Sequence, residues 1–189
     1  AGEHRRRLLE ELSGRVVEVG AGNGLNFPHY PPTVTEVVAV EPEPTLRAAA
    51  TERARRVDVP VTVRAGTAEA LPLGDGECDA AVASLVLCSV PDQGAALAEL
   101  HRVLRPGGEL RFYEHVLARR QPLRGVLELA DRSGLWPAIA GGCHPARETA
   151  DAITAAGFEI QRCERFPFRA CAIEPSIPHI LGTARRVER

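Results

Sequence analysis

Residues 16–24 read VVEVGAGNG, and this stretch decides the fold. The letters up to Val19 are typical of a buried strand, and glycine then occupies positions 20, 22 and 24. A strand that ends in glycines leaves its last backbone groups without side chains in front of them. A ligand can therefore approach the main chain closely at this turn. We read the stretch as a strand followed by a ligand-binding turn.

Two carboxylates and one leucine indicate which ligand the turn holds. Glu41 lies in VVAVEPEP, one strand later, where an acidic residue is placed to hold a ribose diol. A dinucleotide site needs a small residue at the sixth position from the first glycine, and this chain has Leu25 there. Glu18 beside the turn would repel a pyrophosphate and suits a cationic amino-acid end. The sequence has no GKS or GKT phosphate loop, so these residues argue against NAD and nucleoside triphosphates.

Length and charge restrict the class of protein. The 189 residues suffice for one domain with a two-sided core and are too few for two ordinary domains. The net charge of -2 offers no basic surface for nucleic acid. The 189 residues contain no apolar run of membrane-spanning length and no signal-peptide pattern, so we expect neither feature. We therefore expect one cytoplasmic domain over residues 1–189, a monomer or homodimer, without nucleic-acid or membrane partners.

The sulfur-containing residues are unusual in number. Methionine is absent, so we expect residues to precede Ala1. The five cysteines are odd in number and lack the close pairing of a zinc site, which favours a reduced setting and predicts no metal. They are Cys78, Cys88, Cys143, Cys163 and Cys171.

Strand and helix patterns alternate along the chain. The predicted strands are 15–19, 36–40, 61–64, 79–87, 109–115, 158–165 and 180–187, and the predicted helices are 3–12, 45–57 and 92–104, with 121–157 mostly helical. The nearly continuous apolar run at 79–87 is typical of a central parallel strand covered on both faces. This alternation predicts a doubly wound α/β sheet. The last two strands are expected to pair as an antiparallel hairpin at its edge.

VVEVGAGNG resembles the first motif of the class I S-adenosylmethionine-dependent methyltransferases, of the methyltransferase type 11-like kind. VEPEP is similar to the family's second strand, which would place Glu41 on the ribose hydroxyls. GTAEALPLGDGECDAAVAS resembles the loop and strand whose Thr67, Ala68 and Glu69 would surround the adenine, and LHRVLRPGGELRFYEHV resembles the fifth-strand region. The resemblance implies a seven-stranded Rossmann-like sheet with an antiparallel final strand, S-adenosyl-L-methionine as cofactor and a small-molecule substrate. The cofactor-binding residues that it implies are Glu18, Gly20, Ala21, Gly22, Asn23, Gly24, Asn26, Glu41, Pro42, Thr67, Ala68, Glu69, Ser84 and Leu85.

A narrower resemblance concerns the methyl acceptor. The stretches NF-x-x-YPP, LVLCSV, VLRPGG with EHV, GC-x-x-x-R-E at 142–148 and PHI-x-G are similar to the methyltransferase-like alkyl-thiol S-methyltransferases. A thiol sulfur is therefore the favoured acceptor. Two alternatives stay open: O-, N- or C-methylation of a natural product or quinone-like ring, and a cofactor-binding regulator without catalysis.

The reaction zone is expected at the carboxyl ends of the strands. His115 is the catalytic candidate because histidine titrates near neutrality, although it could equally be a satisfied core histidine. A thiol substrate needs no strong base, since its pKa lies near 8.5. The predicted substrate contacts are Phe27, Tyr30, Cys88 and His144. The N-terminal helix and segment 134–148 are predicted to form a movable cover over the substrate.

Overall fold

The computed structural model describes residues 2–134, 136, 138, 141–168 and 176–187. These ranges contain seven strands: β1 (Gly14–Val19), β2 (Val34–Val40), β3 (Val61–Arg64), β4 (Cys78–Ser84), β5 (Leu104–His115), β6 (Phe158–Phe168) and β7 (Ile177–Arg186). They contain five α-helices: α1 (Gly2–Leu9), α2 (Pro44–Ala54), α3 (Gln93–Val103), α4 (Leu123–Arg132) and α5 (Thr149–Ala155). Within the same ranges, no helix is both apolar enough and long enough to cross a bilayer.

The strands form one sheet in the order β3-β2-β1-β4-β5-β7-β6. β1 lies between β2 and β4 and is parallel to both, with Val17 opposite Val38 and Ala81. β7 runs antiparallel to β5 and β6. The predicted seven-stranded Rossmann-like sheet with an antiparallel final strand is confirmed, and the last two strands do form the expected hairpin at its edge.

Helices and apolar side chains cover both faces of the sheet. On one face, Val17 and Ala81 belong to a cluster that includes Leu97 of α3. On the other face, Val16 belongs to a cluster that includes Leu9 of α1. Because side chains alternate along a strand, the adjacent apolar residues of β1 and β4 supply both layers at once.

Element boundaries differ from the predictions where local backbone geometry intervenes. Strand four was expected to reach residue 87 but ends at Ser84, because Leu85 turns the chain with a φ of 61°. β5 begins at Leu104 rather than 109 and includes the RPGG turn. α2 ends at Ala54 rather than 57, and it begins after Glu43, whose carboxylate accepts hydrogen bonds from two backbone N–H groups of its first turn.

Candidate active site

A cleft of about 470 Å³ opens at the carboxyl ends of β1, β2 and β4, the edge where open α/β sheets bind ligands. Eight residues that the sequence predicted for cofactor binding line it: Gly20, Gly22, Glu41, Pro42, Thr67, Ala68, Glu69 and Leu85. Six further lining residues were not predicted: Leu46, Val86, Ser89, Val90, Pro91 and Gly141. Most of these six are apolar or small, so the sequence offers no chemical signal for them.

The glycine turn needs its glycines for conformation and for space. Gly20 and Gly22 have φ values of 57° and 56°, in the left-handed region that favours glycine. A Cβ atom at Gly20 would lie 2.4 Å from a methyl carbon of Val86. At Gly22, by contrast, no atom lies within 4 Å of a Cβ position. The backbone of Gly22 therefore faces open space in the cleft, as a closely bound ligand requires.

Glu41 is fixed at the wall of the cleft by the backbone. Its side chain is buried, and Oε2 accepts a hydrogen bond of 2.8 Å from the N–H of Gly22. Oε1 accepts a second bond, of 3.0 Å, from the N–H of Glu43. These bonds hold the carboxylate beside the glycine turn, where the sequence predicted a ribose contact.

Glu18 lies behind the turn rather than in the cleft. Its carboxylate accepts hydrogen bonds from Asn26 Nδ2 at 2.8 Å and from the Tyr30 hydroxyl at 2.7 Å. Burial raises the pKa of Glu18 to about 7, although both hydrogen bonds favour its charged form. Asn26 in turn accepts a bond of 2.7 Å from Arg5 of α1. These hydrogen-bonded side chains lie beneath the glycine turn and stabilise it from behind.

The remaining predicted residues of this region also lie outside the cleft lining. Ala21, Asn26, Phe27 and Tyr30 are buried, and Phe27 packs so closely under Gly24 that a Cβ there would lie 2.5 Å from its ring. Ser84 Oγ is buried and makes no hydrogen bond within the described residues. Asn23 does not line the cleft either. Direct ligand contact by Glu18, Ala21, Asn23, Gly24, Asn26, Ser84, Phe27 and Tyr30 stays a prediction.

A buried carboxylate organises the loop that follows β4. Glu114, at the end of β5, is fully buried and accepts hydrogen bonds from three successive backbone N–H groups, those of Val86, Leu87 and Cys88, at 3.0, 3.0 and 3.1 Å. Burial raises the pKa of Glu114 well above the usual carboxyl range. The loop 86–88 is thereby held against β5.

A second tie reaches the same loop from the segment before α5. Arg147 donates to the carbonyl oxygens of Leu87, at 2.6 Å, and Val90, at 2.7 Å. The N–H of His144 donates to the carbonyl of Cys88 at 2.7 Å. Segment 141–148 and loop 86–90 therefore form one unit. The His144 ring points to Asp131 of α4, with Nδ1 2.8 Å from its carboxylate, and does not line the cleft.

Two thiols and an imidazole meet beside this loop. Nδ1 of His115 lies 3.1 Å from Cys143 Sγ and 3.7 Å from Cys88 Sγ. Cys88 and Cys143 are buried and His115 is partly exposed, with its ring against that of His179 at 4.3 Å between centroids. Hydrogen bonding to Cys143 and burial raise the pKa of Cys88 to about 12, whereas the same contact lowers the pKa of Cys143. Cys171 lies outside the described residues.

The chain is similar to known methyltransferases in both sequence and fold. A family model described as a methyltransferase domain matches residues 17–112. The chain is similar to thiol S-methyltransferase TMT1B of Mus musculus, with 38% identity over 93% of this chain and 73% of that protein. It is also similar to thiol S-methyltransferase TMT1A of Homo sapiens, with 32% identity over 93% of this chain and 74% of that protein. A solved structure, the S-adenosylmethionine dependent methyltransferase from Mesorhizobium loti, superimposes with a TM-score of 0.70 at 25% identity over 98% of both chains.

Proposed function

Because the chain belongs to the methyltransferase domain family, we propose that it transfers a methyl group from S-adenosylmethionine to the sulfur of a small-molecule thiol. Like other members of this family, the protein is an S-adenosylmethionine-dependent methyltransferase. The acceptor atom is the proposed part, and the names of its relatives support it.

The cleft fits the cofactor. Glu41 offers a buried carboxylate for the ribose hydroxyls, and the open space in front of Gly22 admits a close ligand. Thr67, Ala68 and Glu69 line the part of the wall proposed for the adenine. When bound, S-adenosylmethionine supplies a methyl group activated by a sulfonium sulfur. The residues of this chain bind and orient it, and orientation alone can supply about 7–11 kcal/mol of such a barrier.

The observation that carries the thiol acceptor is the meeting of three distant stretches at one wall of the cleft. LVLCSV contains loop 86–90, EHV contains Glu114, and GC-x-x-x-R-E contains Arg147. Glu114 and Arg147 both hydrogen bond to that loop, and Ser89 and Val90 of the loop line the cleft. These are three of the five stretches that resemble the alkyl-thiol S-methyltransferases, and they meet where the proposed acceptor would enter.

The proposed reaction has no obligatory protein base. A thiol loses its proton near neutrality much more readily than an alcohol, so binding and orientation of its sulfur are the main requirements. The sequence predicted His115 as the catalytic candidate. Its ring does not line the cleft but lies beside Cys143 and Cys88, next to the loop that does. His115 is proposed to assist the reaction.

An assay of acceptors tests the proposal. The protein is incubated with S-adenosylmethionine labelled in its methyl group and with matched alkyl thiols, phenols and amines, and the products are identified by mass. We expect labelled thioethers from the thiols. Methylation of a phenol or amine alone would overturn the sulfur acceptor and keep the enzyme. Binding of S-adenosylhomocysteine without turnover of any acceptor would favour the non-catalytic regulator.

A further inference from the structure

The Cys88, His115 and Cys143 side chains bring three metal-ligand atoms within 4.8 Å of one another. We propose that these three residues bind a zinc ion whose fourth ligand is the sulfur of the substrate. The second half of this statement rests on the proposed thiol acceptor, whereas the zinc site itself does not. We call the three residues the thiol–imidazole cluster.

The distances in the cluster fit a tetrahedral ion. Zinc binds sulfur at about 2.3 Å and nitrogen at about 2.0–2.1 Å, so tetrahedral angles place a sulfur and a nitrogen ligand about 3.6 Å apart. Nδ1 of His115 is 3.7 Å from Cys88 Sγ and 3.1 Å from Cys143 Sγ. One distance already matches, and the other needs a displacement of about half an ångström.

The kind and number of ligands also favour zinc. Two thiolates and an imidazole are soft or borderline ligands, which select zinc over magnesium and calcium. Structural zinc sites are closed by four protein ligands, whereas catalytic sites have three and leave one position open. Among the described residues the cluster has three ligands and no fourth. The arrangement is therefore that of an open site.

The cluster lies next to the cofactor cleft, and hydrogen bonds hold the backbone of Cys88 on both sides. Ser89, whose Oγ is 3.5 Å from Cys88 Sγ, lines the cleft, and so does Gly141, two residues before Cys143. The backbone N–H of Cys88 is held by Glu114, and its carbonyl is held by the N–H of His144. Such surrounding hydrogen bonds keep metal ligands in place.

The chemistry of the step is balanced without an oxidant or reductant. Cys88 and Cys143 release their thiol protons when zinc binds. The substrate sulfur then forms a bond to zinc, its S–H bond breaks, and the proton goes to solvent. A lone pair of this sulfur attacks the methyl carbon, and the bond between that carbon and the sulfonium sulfur breaks. The electron pair of that bond stays on the former sulfonium sulfur, which leaves as the neutral thioether of S-adenosylhomocysteine. The product is a neutral thioether, which binds zinc more weakly than a thiolate and leaves.

The first experiment tests the metal site without reference to activity. Purified, reduced protein is stripped with a chelator and titrated with Co²⁺, whose bonds to thiolates give a strong absorption, and zinc is then added as competitor. We expect one equivalent of Co²⁺, displaced by Zn²⁺. Cys88→Ser and Cys143→Ser should each lower the thiolate absorption, and the double variant should lose it. Cys78→Ser, a buried cysteine outside the cluster, and Cys163→Ser, an exposed one, should keep it.

The results separate the site from its alternatives. Absence of Co²⁺ binding by the reduced wild-type protein overturns the proposal, and a Cys88–Cys143 disulfide found by mass spectrometry would then assign the pair a redox role. Undiminished absorption in a folded Cys88→Ser, Cys143→Ser double variant also overturns it. If that variant does not fold, His115→Gln serves in its place, with folding checked by circular dichroism, and should weaken Co²⁺ binding at least roughly tenfold.

The second experiment tests the fourth ligand. A thiol that is a substrate should change the Co²⁺ absorption in a saturable manner, and the matching alcohol should not. Methylation by the metal-free protein should be at least roughly tenfold slower and should recover with Zn²⁺. An unchanged rate in metal-free protein overturns activation by zinc and leaves the thiol methyltransferase intact. Co²⁺ binding without methylation of any thiol supports the metal site and overturns the proposed acceptor.

Discussion

At the scale of single residues, Glu18 links pH to stability. The folded protein holds this carboxyl group buried with a pKa of about 7, against 4.5 for an ordinary glutamate. Between these values the folded state binds more protons than the unfolded state, so the free energy of unfolding falls as pH rises. The contribution is fully present below about pH 4.5 and is lost as pH passes through about 7, for a total of up to about 3 kcal/mol.

Glu18→Gln isolates this effect. The amide cannot ionise, so the variant should lack this part of the pH dependence, and the difference from wild type should grow between about pH 5 and about pH 8. Urea unfolding at both pH values measures it. Glu36→Gln, at a partly exposed position of the neighbouring strand, should keep the wild-type slope. Parallel slopes for wild type and Glu18→Gln would show that Glu18 stays ionised in the folded protein.

Glu41 offers a second test at this scale. Replacing its carboxylate with an amide in Glu41→Gln should weaken S-adenosylhomocysteine binding roughly 10- to 100-fold, since a hydrogen bond to a charged group contributes about 1.5–3 kcal/mol. Calorimetric titration measures the dissociation constant. Glu36→Gln again serves as control because it changes the same residue type in β2, the strand that directly precedes Glu41, and lies away from the cleft. Equal affinities in both variants would remove Glu41 from the ribose site.

At the scale of elements, Glu114 joins loop 86–88 to β5. Glu114→Gln replaces one of the two carboxyl oxygens that accept from buried backbone N–H groups with an NH₂ group, which cannot accept. This should lower the free energy of unfolding by about 1–3 kcal/mol. Urea unfolding measures the change. Glu36→Gln, which removes an ion pair with Arg15 that is partly exposed on both sides, should cost at most about 1 kcal/mol. Similar losses in the two variants would contradict the role assigned to the loop contacts.

The predicted cover concerns two further elements. α1 reaches the turn through Arg5 and Asn26, and segment 141–148 reaches the cleft wall through Arg147. We expect amide hydrogen exchange in both to slow when S-adenosylhomocysteine and thiol bind together, while exchange in α5 stays unchanged. Equal amide exchange rates with and without the ligands would show that α1 and segment 141–148 do not act as a movable cover. Residues 135, 137, 139 and 140 of the predicted cover lie outside the described residues.

At the scale of the whole molecule, the cofactor should stabilise the fold. S-adenosylhomocysteine at about 100 times its dissociation constant should add about 2.7 kcal/mol to the free energy of unfolding. NADH should add nothing, because Leu25 stands where a dinucleotide site needs a small residue. Thermal unfolding with each ligand measures the difference. A shift with NADH and none with S-adenosylhomocysteine would contradict the cofactor assignment.

Most of the sheet could be predicted from sequence because its signals are local. β-Branched residues predict β1 and β3, and the glycines at positions 20, 22 and 24 predict the turn. The end of β4 could not be predicted, since the apolar letters run on through Leu87 while Leu85 adopts a positive φ that sequence does not require. The turn there depends on tertiary contacts, among them the bond from Leu85 N–H to the Tyr113 carbonyl.

Part of the candidate site could likewise be predicted from sequence and part could not. Glu41 lies at the cleft as expected because a strand end fixes it. The thiol–imidazole cluster escaped prediction because its members are separated by 27 and 28 residues and come from three different parts of the chain. A search for closely spaced cysteines finds nothing there, and the sequence analysis expected no metal. Only the return of segment 141–148 to the end of β4 brings the sulfurs together.

The place of β7 between β5 and β6 has a consequence for biosynthesis. β6 emerges from the ribosome before β7, yet β7 is its only strand partner among the described residues. The free edge of β5 is filled by the same residues 177–186. A nascent chain exposed as far as residue 168 therefore carries the five parallel strands β1–β5, with the edge of β5 open, and an unpaired β6. Both the open edge and the unpaired strand are able to pair with other chains. The ten residues of β7 pair with β5 and with β6 at the same time. Co-translational assembly of this sheet therefore ends when β7 inserts between two strands, not when a strand is added at the outer edge.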